Sequence, residues 1–243
     1  MRIARSLVGI GLAVPIMSCS PKQVPDGEGL RRELTDSLSL LSTTAGFNGF
    51  GVAVVGPEGV LYANGFGMAD VVKGTAYTER TVQPIASISK TFIGLAVMKA
   101  QELGKLNLDD PIAKHLPFPV INPHHPEVPI TVRHLVTHTS TILDKDNYLF
   151  RAWILRDTVD LAANLALDIG ACRFSAPSTV VSMEEFLQRY LTPDGPWYSD
   201  SAFADLQPGE RFDYSNIGAT LAALVVEKAT GMPFDAFTQR YIL

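Results

Sequence analysis

Residues 84–92 read Pro84-Ile85-Ala86-Ser87-Ile88-Ser89-Lys90-Thr91-Phe92. They open a long helical pattern, apolar nearly all round from Ile88 to Leu103 and closed by Gly104. A helix of that kind is expected to be buried rather than to lie on a surface. Ser87 and Lys90 stand three positions apart, so on a helix the hydroxyl and the ammonium point to the same place. A serine at a helix start also meets the positive end of the macrodipole, which favours negative charge developing there. A desolvated lysine can lose its proton near neutral pH and act as base for such a serine. The tetrapeptide alone is weak, because roughly one Ser-x-x-Lys is expected by chance in a chain this long.

Working outward, Tyr214-Ser215-Asn216 places a phenol and a carboxamide two residues apart, in a turn rich in Gly and Asp just before an apolar helical pattern at 216–230. A phenol near a lysine can relay protons, and an amide side chain can hold a substrate carbonyl. The same spacing occurs at Tyr62-Ala63-Asn64, but that copy precedes the serine and falls in a predicted hairpin. The hairpin is formed by the β-rich runs Phe50–Val55 and Val60–Phe66, joined by the turn Gly56-Pro57-Glu58-Gly59. Leu30, Leu34, Leu38 and Leu41 predict an amphipathic helix that Gly46 could end. Further helices are predicted at 131–138, 151–169 and 183–191, the last with a capping-box start at Ser182-Met183-Glu184-Glu185. Strands followed by a mostly helical middle point to an α+β arrangement rather than regular βαβ alternation.

Four stretches, in order, resemble the serine β-lactamase-related family, which includes class C β-lactamases, DD-peptidases and β-lactamase-fold esterases. They are Pro84–Phe92, Gly104-Lys105-Leu106-Asn107-Leu108-Asp109-Asp110-Pro111, Ile130-Thr131-Val132-Arg133-His134-Leu135-Val136-Thr137-His138-Thr139-Ser140 and Pro208-Gly209-Glu210-Arg211-Phe212-Asp213-Tyr214-Ser215-Asn216-Ile217-Gly218. The resemblance covers residues 46–243 as one domain. It implies a β-lactamase/transpeptidase-like α+β fold: an antiparallel sheet flanked by helices, plus a helical lobe, with the site between them. Ser87 would be the acylated nucleophile, its backbone N–H one oxyanion donor. Lys90 would deprotonate or electrostatically activate it, Tyr214 would act as partner base and later acid, and Asn216 would orient the substrate. The order of proton transfer between Lys90 and Tyr214 stays open, since their titrations would be coupled. No cofactor is implied.

Two departures stand out. The family has Gly after the Thr-His-Thr-Ser run, where this chain has Thr141, a residue strained wherever φ is positive. The family also carries Lys or His, then Thr or Ser, then Gly, on a strand downstream of Tyr-x-Asn, and nothing after Asn216 fits. Lys228-Ala229-Thr230-Gly231 comes near, but reads as a helix end stopped by glycine. The expectation is a chain whose C-terminal strands are missing. Segment 142–207, with Trp153, Trp197 and Tyr198, would line or roof the site, core and loop packing being the simpler reading of these aromatics. His134 and His138 are four apart, but no metalloprotease glutamate lies between them and the stretch has its family explanation, so no metal is expected.

The N-terminus reads as an address. Arg2 and Arg5 precede an eleven-residue apolar run from Leu7 to Met17, too short for a spanning helix of about 20 residues. Residues 1–18 are therefore read as an export signal. Ile16-Met17-Ser18-Cys19 resembles a bacterial lipobox, which makes Cys19 the lipidation site; an ordinary cleaved signal is the alternative. Residues 19–45 would then be a tether and the N-terminal helix, holding the domain at the periplasmic side of a bacterial membrane, the outer one favoured. With Cys19 acylated, only Cys172 remains and no internal disulfide can form. The 243 residues carry 47% hydrophobic side chains, enough for a sizeable core, and a net charge of −5, which speaks against a nucleic-acid partner. The expected partners are a small-molecule or peptide substrate and a membrane reached through the lipid. The expected function is acyl-serine hydrolysis of an ester, amide or β-lactam. The alternatives are an inactive fragment or cell-wall-binding relic lacking the third motif, and a regulator that traps β-lactams without turnover.

Overall fold

The computed structural model describes residues 27–155 and 174–243. The expected signal at 1–18, Cys19, the start of the tether, most of the expected helix 151–169 and Cys172 lie outside the described residues. The chain divides into two compact units, Met1–Pro84 and Ile85–Leu243.

In the first unit, helix α1 (Gly27–Thr44) precedes an antiparallel sheet of β1 (Gly49–Gly56), β2 (Gly59–Asp70) and β3 (Thr75–Ala76), in that order. The predicted hairpin forms with Pro57 and Glu58 in its turn, and its register sets Phe50 opposite Phe66 and Val54 opposite Tyr62. The paired Phe50 and Phe66 rings stack with centroids 5.3 Å apart, a cross-strand contact that helps fix this register. Helix α1 lies against β2 with none of its residues fully buried. The Tyr62 hydroxyl shares a 2.9 Å hydrogen bond with Thr35 Oγ1, and Asn64 Oδ1 accepts from the Gly65 N–H. Of the second Tyr-x-Asn, Tyr62 therefore ties helix to strand, while the Asn64 side chain bonds to its own neighbour.

The second unit is mostly helical: α2 (Lys90–Glu102), α3 (Val132–Val136), α4 (Asp146–Leu149), α5 (Met183–Leu191), α6 (Asn216–Thr230) and α7 (Phe234–Tyr241). A short parallel pair, β4 (Trp153–Ile154) and β5 (Phe174–Ser175), joins them. Helix α6 is the core element. Nine of its residues, from Ile217 through Val226 except Thr220, are buried, and it contacts α2, α3, α5 and α7. Its alanines and β-branched valines let neighbouring helices approach closely, and Ile217, Leu221 and Leu224 fill the centre.

Two expectations are corrected here. Helix α2, read as buried all round, buries fully only the stripe Ala96, Val97 and Ala100, while Leu95 and Met98 are about half exposed. Both α2 and α6 are apolar, and composition alone does not rank them; packing on four helices makes α6 the central one. The expected helix 151–169 begins instead with a strand, because Trp153 and Ile154 pair with Phe174 and Ser175 far along the chain.

Helix ends follow the sequence closely. Ser182 Oγ accepts from the Glu185 N–H at the start of α5; the Glu185 carboxylate turns to Arg189 rather than closing a capping box. Lys228-Ala229-Thr230-Gly231 ends α6, with Gly231 at φ +69 and its N–H on the Glu227 carbonyl. Lys228 pairs with Glu184.

Candidate active site

Ser87 sits in the 3₁₀ turn Ala86–Ser89 that runs directly into α2, whose first residue is Lys90. Ala86, just before the serine, holds φ +47, in the left-handed region that a non-glycine residue enters at a cost of roughly 1–2 kcal/mol. The backbone therefore kinks immediately before Ser87 and leaves its side chain exposed. Lys90 Nζ donates to Ser87 Oγ at 3.2 Å, one helical turn apart as the spacing requires. The Tyr214 hydroxyl bonds to the same Oγ at 2.7 Å across 127 residues of sequence. The Lys90 ammonium also stands 5.3 Å from the centre of the Tyr214 ring. The four residues expected at the catalytic site, Ser87, Lys90, Tyr214 and Asn216, lie in the second unit, and the first three converge on one oxygen.

The electrostatics follow from that convergence. Partial burial would raise the Tyr214 phenol, but hydrogen bonding to Lys90 and Ser87 and the Lys90 charge outweigh it, and the phenol is held below its ordinary value. A phenol bonded to a serine hydroxyl beside a lysine can relay the serine proton to a leaving group.

Tyr214 and Asn216 are positioned by a segment that begins inside the third family-like stretch and runs past it to Asp144. The stretch His138–Asp144 is zippered to residues 202–213 by backbone bonds: Asp213 N–H to His138 C=O, Gly209 to Thr139, Ala204 to Thr141 and Leu143 to Ala202, each 2.8 Å. Buried Asn122 pins it further, donating to Thr141 Oγ1 and to the carbonyls of Ala204 and Leu206. From this segment His138 Nδ1 accepts the Ser215 N–H at 3.2 Å. Its ring lies against Tyr214 with centroids 4.7 Å apart, and against the edge of Phe212. Accepting at Nδ1 makes the imidazole neutral with its proton on Nε2. Burial and the Lys90 charge lower its pKa, against a weaker opposing effect of Asp144.

Asp144 is the second residue that sequence reasoning missed. Its carboxylate accepts from Ser215 Oγ, the Asn216 N–H, Asn216 Nδ2 and the Ile217 N–H. Asn216 thus does not project freely toward a substrate, since one carboxamide N–H is already spent. Neither residue carries a local signal, because their partners lie more than 70 positions downstream. The nearest hint is that His138 falls inside the Thr-His-Thr-Ser run.

The histidine pair does not act together. His134 Nδ1 accepts the Thr131 N–H, while Thr131 Oγ1 accepts the His134 N–H, a reciprocal cap at the start of α3. Helix α3 ends at Val136 and His138 adopts φ +55, so the two rings do not share a helix face. Thr141 holds φ +67, the strained conformation foreseen for a non-glycine residue there. Of the aromatics in 142–207, Trp197 packs edge-on against Phe186 with the Arg151 and Arg189 guanidiniums over its ring. It lines a cavity of about 630 Å³ that includes none of Ser87, Lys90, Tyr214 and Asn216. Among the described residues no helix is long and apolar enough to cross a membrane.

A serine oxygen bonded by a lysine one turn away and by a distant tyrosine, in an α+β chain, is the arrangement that the resemblance to the β-lactamase/transpeptidase-like class implies. Comparison with known proteins agrees. The Beta-lactamase family model matches residues 34–243, and the chain belongs to that family. It is 28% identical over 213 residues to Penicillin-binding protein 4* of Bacillus subtilis, covering 87% of this chain and 39% of that protein. Among solved structures, the octameric penicillin-binding protein homologue from Pyrococcus abyssi matches with a TM-score of 0.62 at 27% identity, over 87% of this chain and 42% of the other. A Beta-Lactamase/D-Alanine Carboxypeptidase from Pseudomonas syringae shares the fold with a TM-score of 0.56 at 19% identity, over 89% and 48%. The chain thus spans less than half the length of these relatives.

Proposed function

We propose that this protein is an exported serine hydrolase that works through an acyl-serine intermediate on an ester, amide or β-lactam. The observation that carries the reading is the meeting of Lys90 and Tyr214 on Ser87 Oγ, at 3.2 and 2.7 Å. Ser87 Oγ attacks the substrate carbonyl while its proton passes to the Lys90–Tyr214 pair. The tetrahedral oxyanion collapses, and Tyr214 delivers the proton to the departing amine or alkoxide. Water then cleaves the acyl-Ser87 ester by the same groups in reverse. Family relatives act on several acyl donors, so the scaffold leaves ester, peptide and β-lactam chemistry equally within reach. Export rests on the apolar run Leu7–Met17, and anchoring on Cys19 behind Ile16-Met17-Ser18.

The test is covalent labelling of the full chain with a fluorophosphonate and with a fluorescent penicillin. Label should appear on Ser87 and vanish in Ser87→Ala. A cooperatively folded protein that takes neither probe overturns the acyl-serine reading. Labelling by the penicillin without steady-state turnover identifies a β-lactam-trapping protein instead. Metabolic labelling with a fatty acid, lost in Cys19→Ala, tests the anchor separately.

A further inference from the structure

The Tyr214 motif stands at the start of α6, yet what holds it in place comes from elsewhere. Asp144 accepts four hydrogen bonds: Oδ1 from Ser215 Oγ (3.2 Å) and the Ile217 N–H (3.0 Å), Oδ2 from the Asn216 N–H (2.9 Å) and Asn216 Nδ2 (2.6 Å). Backbone donors at a helix start require an acceptor, and a carboxylate also suits the positive end of the macrodipole. That accounts for the two backbone bonds. It does not account for the bond to the Asn216 side chain, since α6 already has its cap: Ser215 Oγ accepts the Gly218 N–H at 2.9 Å.

We propose that Asp144 is the positioning residue for Asn216. A carboxylate only accepts, so of the two flip states of the Asn216 carboxamide it admits the one that turns Nδ2 toward it. Planarity then directs Oδ1 away from Asp144. Asn216 meets its surroundings with a carbonyl acceptor and one remaining N–H, in a fixed orientation. Both Asp144 oxygens already accept two hydrogen bonds, so the residue acts through Asn216 and Ser215 rather than on a substrate. His138 completes the arrangement by taking the Ser215 N–H. The segment His138–Asp144 thereby sets the orientation of Asn216 and supports the backbone that carries Tyr214. This inference rests on the acyl-serine reading for its kinetic consequence, but the fixed carboxamide itself does not.

Two measurements test it. The first needs no activity: the side-chain NH₂ of Asn216, assigned by its loss in Asn216→Asp, should be protected from hydrogen exchange in the folded wild-type chain. Exchange at the rate of a free carboxamide overturns the proposal. The second is a double-mutant cycle on the rate of Ser87 acylation by a fluorophosphonate, with Asp144→Ala, Asn216→Ala and the pair. Asp144→Ala should slow acylation by about 10²-fold, the scale of a lost orientation at a reacting centre. In the Asn216→Ala background the same substitution should slow acylation several-fold less than in the wild type, the remainder coming from the Ser215 and backbone bonds that it also removes. An undiminished effect in that background, or no effect in the wild type, overturns the proposal. Asp144→Asn, which keeps the side-chain shape, is the second variant should Asp144→Ala fail to fold, judged by the same cycle. If wild type takes no label yet its Asn216 amide is protected, the acyl-serine reading fails and the positioning role stands.

Discussion

Thr141 gives a direct test of whether the segment that supports Tyr214 is held under strain. It is 5% exposed and adopts φ +67, and its Oγ1 accepts one of three hydrogen bonds from Asn122 Nδ2, all 3.0 Å. Replacing it by Ala or by Gly removes the same hydroxyl and the same γ-methyl, and Gly also removes the buried Cβ, about 0.8 kcal/mol. Asn122 keeps an acceptor for each of its two amide protons in both variants, at the Ala204 and Leu206 carbonyls. The comparison of the two variants therefore weighs the backbone against one buried Cβ. At an ordinary φ, Ala would exceed Gly by roughly 0.5–1 kcal/mol through the entropy of the unfolded chain. At φ +67 Ala carries a left-handed cost of roughly 1–2 kcal/mol that Gly escapes. With the Cβ counted, an unstrained site would put Thr141→Ala ahead by roughly 1.3–1.8 kcal/mol, and the left-handed cost instead brings the two variants to within about 1 kcal/mol of each other. In a chain of this size that is roughly 1–4 °C in the melting midpoint. Against wild type both should lose stability, since a buried methyl contributes about 0.8 kcal/mol and a hydrogen bond about 1 kcal/mol. Calorimetry on the three proteins reads all of this. A Thr141→Ala midpoint higher than that of Thr141→Gly by about 5 °C or more refutes the claim that the backbone is strained here.

Two further outcomes follow from the site. Tyr214→Phe removes only the hydroxyl on Ser87 from a ring that is 45% exposed. The melting midpoint should stay near wild type while acylation falls by roughly 10²–10⁴, the range for losing a general acid or base; stopped-flow labelling decides, and an unchanged rate removes Tyr214 from the reaction. His134 and His138 both titrate below the ordinary histidine value, mainly because burial disfavours their charged forms. Their folded pKa values being depressed, the unfolded chain binds the extra protons first. Stability should be full above about pH 6.5 and fall as acid is added, until the folded values are passed. Urea midpoints at pH 7.5 and 5.5 measure this, and a midpoint that does not drop at the lower pH contradicts it.

How much of the site can be read from the chain depends on the range of each interaction. Ser87 and Lys90 are legible because one helical turn joins them, and Ser87 Oγ and Lys90 Nζ do meet. Tyr214 and Asn216 are legible as a pair with a turn before them and an apolar helix after, though nothing local says that Tyr214 reaches Ser87. His134 and His138 mislead for the opposite reason. Their four-residue spacing presumes a continuous helix, and the left-handed backbone at His138 breaks it. That break is what turns the His138 imidazole to Ser215 and starts the extended run to Asp144. The fold class was likewise visible in the order of elements, whereas the rank of α6 over α2 was not, being decided by which helix has neighbours on every side.

The division has a mechanistic consequence. Ser87 and Lys90 are fixed by local geometry, through a 3₁₀ turn continuous with α2. The tyrosine and the carboxamide are fixed by non-local bonds from residues 138–144, a segment with two non-glycine residues at positive φ. Strain of that kind persists only where surrounding contacts over-determine the backbone. Here those contacts are the backbone bonds to 202–213 and the Asn122 side chain. Loosening the segment should therefore separate the two halves of the site. Ser87 and Lys90 would keep their hydrogen bond while Tyr214 and Asn216 lost their placement, so acylation would fail before the helical core did.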